Sequence, residues 1–261
     1  MPEKSAIERY VKDIEWIRGE LSGMDGLCNP VMGIRDWDDA VAIRLGGKQL
    51  LASIDGPYTK RLVMKSALIH AATDVIVKGG RPLFALDTLA GPKSDVVEMV
   101  ASLKRQAYAL ALPILGGNTK MEDVEPSCTI AVAGEMMIRR PIRDSGARHG
   151  DVIALLGEPI WGTQDERLAK AKVLFETWRA VLESGARITS SKDVTKGGLT
   201  AVIYEMSVKS KKDFKLNDRL PCHLTRNLDN FIFTTPKKEF VKIAGVCRNK
   251  CCRLENIGAV L

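Results

Sequence analysis

The stretch AATDVIVKGGRPLFALD, residues 71–87, decides the fold because it joins a helix and a strand in one unit. Apolar positions between residues 65 and 78 are spaced as in a helix, and the pair Gly79–Gly80 followed by Pro82 ends it. The apolar run PLFALDTL predicts a strand beside that helix. A helix that returns directly into a strand indicates an α/β or α+β domain and argues against a helical bundle.

The same alternation continues on both sides of this unit. Upstream, AVAIRLGGKQLLASID (residues 40–55) predicts two strands joined by a turn at its two glycines. Further upstream, residues 4–22 predict an amphipathic opening helix. Downstream, the polar segment 139–151 separates the strand CTIAVAGEMM from the apolar VIALLG. We therefore expect two domains of mixed α/β (α+β) structure, 1–140 and 148–261.

The composition of the 261 residues is that of a globular protein, with 45% hydrophobic and 27% charged side chains. The sequence lacks a run of about 18 apolar residues, and the start MPEKSAIERY is charged where a signal peptide is apolar. We therefore expect a cytoplasmic protein without a membrane span. The formal charge of +7 suits an anionic partner, but aromatic residues make up only 5% and no basic run interleaves with them. Nucleic acid is therefore not the expected partner.

Cysteine and histidine give little support to a metal or redox site. The six cysteines are unevenly spaced and predict reduced thiols, and the three histidines lie far apart and predict structural roles. The group Cys247, Cys251 and Cys252 leaves a soft metal or a redox bond open, although a second ligand pair at zinc-like spacing is missing. Cys28 predicts an incidental or buried thiol.

A nucleotide site in this chain needs another design than a phosphate loop, because neither GxxxxGK[ST] nor GxGxxG after a strand occurs. Aspartates at the ends of strands and loops offer one, since Mg²⁺ usually bridges one or two carboxylates to substrate phosphates. Such aspartates are Asp38 and Asp39 before a strand, Asp55 at a strand end, Asp74 in the helix, and Asp193 before a Gly-Gly helix start. Each of these aspartates alone is more often a turn or cap residue, so the sequence segments around them decide whether they indicate a metal site.

Six segments of the sequence occur in the same order along the chain as in one known superfamily. They are DWDDAVAI (36–43), IDGPYTKRL (54–62), AATDVIVKGGRPLFALD (71–87), LGGNTK (115–120), GARHGDVIALLG (146–157) and SSKDVTKGGLTAVIYEM (190–206). In this order the chain resembles the aminoimidazole-ribonucleotide (AIR) synthetase superfamily, which includes selenophosphate synthetase, thiamine-monophosphate kinase and the hydrogenase-maturation carbamoyl dehydratase. The resemblance implies an AIR synthetase-like two-domain fold, with an N-terminal domain that forms a dimeric β-barrel, a C-terminal α/β sandwich domain and ATP in the cleft between them.

The resemblance also implies the site residues. The implied Mg²⁺ ligands are Asp39, Asp55, Asp74 and Asp193. The implied nucleotide contacts are Asp38, Lys60, Gly116, Gly117, Asn118, Thr119 and Lys120, and the implied catalytic residues are Lys60 and Asp55. Asn118 departs from the family, because the kinase and the dehydratase carry aspartate there, and an amide oxygen coordinates Mg²⁺ more weakly.

The expected function is ATP-dependent transfer or activation through the γ-phosphate, on a small-molecule or carbonyl/amide acceptor, by a homodimer with Mg²⁺. The chain would then be a phosphotransferase or a ligase or cyclase-type enzyme. Two alternatives stay open. One is a nucleotide-binding partner or regulatory protein with reduced catalysis, which Asn118 and the short C-terminal half favour. The other is a hydrogenase-maturation or selenophosphate-synthetase-like protein.

Overall fold

The structure is a computed structural model that describes residues 15–218, 220 and 223–261. Of the predicted opening helix, residues 4–14 lie outside the described residues, and residues 15–21 are helical (α1). A short segment then leads to the first strand. It contains the 3₁₀ turns Ser22–Met24 and Ile34–Asp36 and the single-turn helix α2, Asp25–Cys28.

Five strands of the N-terminal half form one sheet in the order β1-β2-β5-β3-β4. They are β1 Val41–Leu45, β2 Lys48–Thr59, β3 Gly80–Gly91, β4 Ile114–Met121 and β5 Ser127–Met136. All neighbours are antiparallel except β3 and β4. The predicted hairpin is confirmed, and both turn glycines, Gly46 and Gly47, have the positive φ that a tight turn between twisted strands requires. Contrary to prediction, β2 continues past Asp55 to Thr59, after an irregularity between Asp55 and Tyr58.

Three helices cover one face of this sheet: α3 Lys60–Val63, α4 Ala67–Val77 and α5 Lys93–Leu110. The α4–β3 unit predicted from residues 71–87 is confirmed. Helix α4 is buried along its whole length apart from Asp74, because it packs on the sheet on one side and on the C-terminal half on the other. In the part of the chain that the structure describes, no helix combines the length and the apolar character needed to cross a membrane.

The C-terminal half contains a second sheet, antiparallel throughout, in the order β7-β9-β6-β10-β8. Its strands are β6 Asp151–Leu156, β7 Ser190–Asp193, β8 Phe214–Leu216, β9 Phe231–Pro236 and β10 Leu254–Val260. Helices α6 Gln164–Glu183 and α8 Lys237–Asn249 cover one face, and α7 Gly198–Ser210 covers the other. Both faces of β6 are therefore buried, which explains its uninterrupted apolar sequence. The predicted mixed α/β fold is confirmed, whereas the boundaries at 140 and 148 stay predictions.

The two halves meet where α4 packs against β7 and α6. The indole nitrogen of Trp178 donates a hydrogen bond to the Ile76 carbonyl (2.8 Å), and the Ser191 hydroxyl donates to the Val77 carbonyl (2.6 Å). One hydrophobic cluster runs from the helices of the first sheet into α6, β6 and β9. This junction fixes α4 relative to β7, so Asp74 and Asp193 face a common region.

Candidate functional site

The four aspartates predicted as metal ligands come together although they lie far apart in the sequence. Asp39 precedes β1, Asp55 lies in β2, Asp74 on α4 and Asp193 at the end of β7. Burial raises the pKa of Asp74 well above its usual value, and the nearby charges of Asp193, Asp39 and Asp55 raise it further. The structure therefore gathers these four carboxylates into one electrostatically coupled group.

Asp55 is oriented by its own segment, IDGPYTK. One of its oxygens accepts the backbone N–H of Gly56 (2.8 Å), and the other accepts the hydroxyl of Tyr58 (2.6 Å). Burial and the charge of Asp55 raise the pKa of Tyr58, so the tyrosine stays protonated and acts as the donor. The Asp55 carboxylate is therefore held in one orientation.

Asp193 is buried, with 2% of its surface exposed. Its Oδ2 atom has no hydrogen-bond partner among the described residues. Burial and the charge of Asp39 raise the pKa of Asp193 to about 8, against the smaller lowering effect of Lys192. A buried carboxylate with an unsatisfied oxygen is costly unless a cation or donor joins it, so Asp193 marks a position that favours a bound cation.

Asp38 and Asp39 have different surroundings, because lysines contact them. The ammonium group of Lys192 contacts Oδ1 of Asp39, and that of Lys78 lies 3.2 Å from Oδ2. Asp38 accepts the backbone N–H of Asp144 (2.8 Å) and lies 3.6 Å from Lys78. Lys78 also contacts the Asp144 carboxylate. The predicted nucleotide ligand Asp38 and metal ligand Asp39 are thus both next to protein cations.

A third lysine extends this network. Lys209 of α7 lies 2.7 Å from Asp144 and 2.6 Å from Glu205, and its ammonium sits 5.0 Å from the centre of the Trp37 ring. Lys192 reaches the same two carboxylates at 3.4 and 3.6 Å. We call Asp38, Asp39, Asp144 and Glu205, together with their three lysines, the lysine-paired cluster. Asp55, Asp74 and Asp193 are the uncompensated aspartates, since the ion pairs that join described residues do not include them.

Asp39 and Asp144 of the lysine-paired cluster differ from Asp74 and Asp193 in the direction of their pKa shifts. Burial opposes ionisation of Asp39, but Lys192 and Lys78 outweigh it and lower the pKa of this carboxyl. The pKa of Asp144 is lowered in the same way, by Lys192, Lys78 and Lys209 against burial. Asp38 is intermediate, since burial and the charge of Asp144 raise its pKa to about 6. Lysine contact therefore keeps Asp39 and Asp144 ionised, whereas Asp74 and Asp193 retain protons more strongly.

Among the described residues, no three histidine, cysteine, aspartate or glutamate side chains form a ready-made metal cage. Mg²⁺ does not require one, because it usually keeps several waters and takes one or two carboxylates together with substrate phosphates. The uncompensated aspartates offer hard oxygen donors, one of them buried and unsatisfied. They therefore fit a magnesium ion that a bound phosphate completes.

The remaining predicted residues lie outside this group. The ammonium of Lys60 is 2.6 Å from both Asp95 and Glu98 on α5, so its charge is already paired. Residues Gly116 to Lys120 form the exposed edge strand β4. Three strand spacings separate Gly117 from Asp55 through β3 and β5, which is roughly 14 Å. Their roles in nucleotide binding stay predictions.

One part of the site is not evident from sequence patterns. His70 lies one helical turn before Asp74, with its Nδ1 atom 2.9 Å from Asp229 and its Nε2 atom 3.3 Å from the Ser66 hydroxyl. Arg167 of α6 donates to the same hydroxyl (3.1 Å). Burial would lower the pKa of His70, but the bond and charge of Asp229 raise it overall. The i, i+4 spacing of His70 and Asp74 is the one sequence signal for this neighbourhood.

The cysteines lie apart from these carboxylates. Cys28 ends α2 and is exposed, so it is not a buried thiol. Cys247 and Cys252 are buried beside each other near the end of α8, and burial raises the pKa of Cys247 to about 12. Cys251 is exposed. A thiol with a raised pKa is a poor nucleophile, so nothing in this group points to catalysis.

Comparison of the sequence and the fold with those of known proteins identifies relatives of this chain. Residues 37–136 match the family described as AIR synthase related protein, N-terminal domain. An uncharacterized protein of Methanocaldococcus jannaschii is 35% identical over 95% of this chain and 84% of its own length. Selenide, water dikinase of Myxococcus xanthus is 27% identical over 83% of this chain and 68% of its own. The structure of Thermotoga maritima PurL complexed with ATP shares the fold, with a TM-score of 0.71 at 16% identity, over 84% of this chain and 42% of that one.

Proposed function

Because this chain belongs to the AIR synthetase superfamily, we propose that it is an ATP-dependent enzyme that binds Mg²⁺ and nucleotide phosphates at the uncompensated aspartates. The γ-phosphoryl group would pass to, or activate, a small-molecule or carbonyl/amide acceptor. The observation that carries the proposal is that the charges of Asp55 and Asp193 act on Asp74, and that the buried Oδ2 atom of Asp193 has no hydrogen-bond partner among the described residues. Relatives support it, since one is named a dikinase and another is solved with ATP.

The residues of the chain have separable roles in this proposal. Asp55, Asp74 and Asp193 would hold the metal ion, and Tyr58 keeps Asp55 oriented. When bound, Mg²⁺ neutralises charge on the phosphates and so lowers the barrier to phosphoryl transfer. Lys192, directly before Asp193, would hold the Asp39 carboxylate beside the metal ion through its ion pair. Phosphoryl transfer depends mainly on such positioning and charge, so the proposal requires no protein nucleophile.

The test is ³¹P NMR of ATP incubated with the protein, magnesium and a pooled extract of small molecules. Conversion of ATP to ADP, with a new phosphorus resonance or inorganic phosphate that appears only with the extract, would support γ-phosphate chemistry. Formation of AMP together with pyrophosphate would contradict it, because the bond to the γ-phosphate would then remain intact. ATP that binds but is not consumed would select the second function, a nucleotide-binding partner with reduced catalysis. The pairing of Lys60 with α5 favours that alternative, because it leaves this predicted catalytic lysine without a free charge.

We also propose that the open face of the N-terminal sheet forms a homodimer. Ile54, Ala131 and Leu86 lie side by side across β2, β5 and β3 on the face that the helices do not cover. Ile54 is 71% exposed and Leu86 44%, which is unusual for central strands. The dimeric barrel implied by the superfamily resemblance would bury them. Ile54→Lys should give a monomer by analytical ultracentrifugation while Val241→Lys on α8 does not, and a monomeric unmodified protein would contradict the proposal.

A further inference from the structure

Asp39 differs from the other predicted metal ligands because both of its oxygens already face cations. Lys192 contacts Oδ1, and the ammonium of Lys78 lies 3.2 Å from Oδ2. Oδ2 makes no hydrogen bond to a described residue, so this ion pair is what distinguishes it from the unsatisfied Oδ2 of Asp193. A divalent ion at this carboxylate would lie beside two ammonium groups, and the repulsion would be strong because the surroundings are buried. Asp39 is therefore a poor position for a second metal ion in this chain.

Neither lysine is free to move away. The side chain of Lys78 is fully buried, and its ammonium also donates to the Ser191 carbonyl (2.8 Å) and contacts Asp144. Lys78 follows α4 in the N-terminal half and Ser191 lies in β7 of the C-terminal half, so this hydrogen bond joins the two halves of the molecule. Lys192 is fixed by the strand itself, and only 8% of its side chain is exposed. Both cations are thus part of the folded framework.

The charges of the lysine-paired cluster nearly balance without a metal ion. Its four carboxylates face three ammonium groups within 4 Å. The guanidinium of Arg18 lies near these carboxylates, whose charges act on its pKa. Its Nη1 atom is buried without a hydrogen-bond partner among the described residues. The cluster is therefore nearly neutral by itself. Asp55, Asp74 and Asp193 take part in none of the ion pairs that join described residues, and the more distant charge of Lys192 only partly offsets the raised pKa of Asp74 and Asp193.

We propose that Lys78 and Lys192 are built-in cations that take the place of a divalent ion at Asp39. The site then binds one divalent ion for each nucleotide, at the uncompensated aspartates, and the lysines of the lysine-paired cluster balance the charge of their own carboxylates. This inference rests on the proposed function and refines it, because it assigns the ion count and separates Asp39 from the other predicted ligands.

The experiment is equilibrium dialysis of the protein against Mn²⁺ and the non-hydrolysable analogue AMPPCP, followed by metal and nucleotide analysis of the retained fraction. We expect one Mn²⁺ for each retained nucleotide. Two or more Mn²⁺ for each nucleotide would overturn this inference and leave the proposed function standing. Retained nucleotide without Mn²⁺, or no retained nucleotide, would overturn both.

Variants of Lys78 and Lys192 test whether these two lysines limit the site to one Mn²⁺ for each nucleotide. The double change Lys78→Gln and Lys192→Gln removes both charges and should raise the count to two Mn²⁺ for each nucleotide. Lys242→Gln is the matched control, because this exposed lysine of α8 donates to the Ser184 carbonyl and forms no ion pair with a described residue, and its count should stay at one. A folded double variant that still retains one Mn²⁺ would show that the lysines do not exclude the second ion. If the double variant does not fold, the count in the unmodified protein still decides.

Discussion

Two groups of buried carboxylates lie side by side in this molecule, and they are stabilised in opposite ways. The lysine-paired cluster contains its own cations, so burial leaves Asp39 and Asp144 ionised. The uncompensated aspartates have no paired cation, so burial and mutual repulsion raise the pKa of Asp74 and Asp193. A buried ion pair needs both partners, whereas an unpaired buried carboxylate is unfavourable until a ligand arrives. We infer that the lysine-paired cluster holds the two halves of the molecule together and that the uncompensated aspartates bind a ligand.

The largest expected effect comes from removing a lysine of the paired cluster. Lys78→Met leaves Asp38, Asp39 and Asp144 with too little positive charge in a buried place, and we expect it to lower the free energy of unfolding by about 3–5 kcal/mol. Urea unfolding followed by circular dichroism measures this change. Lys242→Met, on the surface of α8, is the control and should change stability little. A loss of less than about 1 kcal/mol for Lys78→Met would mean that the cluster is not structural.

The reverse result is expected for the uncompensated aspartates. Asp193→Asn removes a charge that has no partner, so the ligand-free protein should be no less stable than the unmodified one at pH 8. Magnesium-dependent nucleotide affinity should fall by about 100-fold, or about 2.7 kcal/mol, because a metal ligand is lost. Thermal unfolding and calorimetric titration of the same sample separate the two effects. A destabilised variant with normal affinity would reverse the assignment of Asp193.

The sequence points to aspartates of both groups, but it does not show which of them will meet a lysine, and the reason is physical. Asp74 lies in a helix and Asp193 precedes a Gly-Gly helix start, as the sequence predicts, whereas Asp55 lies within β2 and not at its predicted end. Lys78 ends a helix, where a lysine is usually exposed, and nothing local shows that Asp144 will meet it 66 residues later. Long-range ion pairs follow from how the two halves pack, which single-element patterns do not contain.

Lys60 illustrates the same limit. The resemblance implies that it contacts phosphate, because it ends the segment DGPYTK. Its two partners, Asp95 and Glu98, lie on a helix more than 30 residues further along the chain. By contrast, the α4–β3 unit and the glycine hairpin depend on local spacing and turn chemistry, so sequence analysis finds them.

His70 provides a smaller, pH-dependent test at the edge of the uncompensated group. It faces Asp229, Arg167, Asp55, Asp193 and Tyr58. Its folded pKa is raised above the usual 6.5, so its stabilising effect is complete below about pH 6.5 and is lost as the pH rises through the folded value. A tenfold higher proton affinity in the folded state than in the unfolded state corresponds to about 1.4 kcal/mol of stability. Asp74 and Asp193 contribute a decline of the same sign, because their folded pKa values are also raised. His70→Gln should therefore make the decline in a pH series of urea unfolding curves shallower, and an unchanged decline would exclude His70 as one of its sources.

The smallest expected effect is at Lys60. Its ammonium is shared between Asp95 and Glu98 near the surface, so Lys60→Ala should change ATP affinity by less than about threefold. Calorimetric titration with ATP and magnesium measures it, with Lys242→Ala as the surface control. A loss comparable to that of Asp193→Asn would instead show that Lys60 leaves α5 and contacts phosphate, as the superfamily resemblance implies.

The most direct test of the central claim is calorimetric titration of the unmodified protein with ATP, with and without magnesium, at several salt concentrations. The uncompensated aspartates predict stoichiometric binding that requires magnesium, because these carboxylates repel the triphosphate until a divalent ion lies between them. Such binding should persist at moderate salt, since the site is largely buried. Equal affinity without magnesium, or no binding with it, would contradict the assignment of Asp55, Asp74 and Asp193 as the metal and nucleotide site.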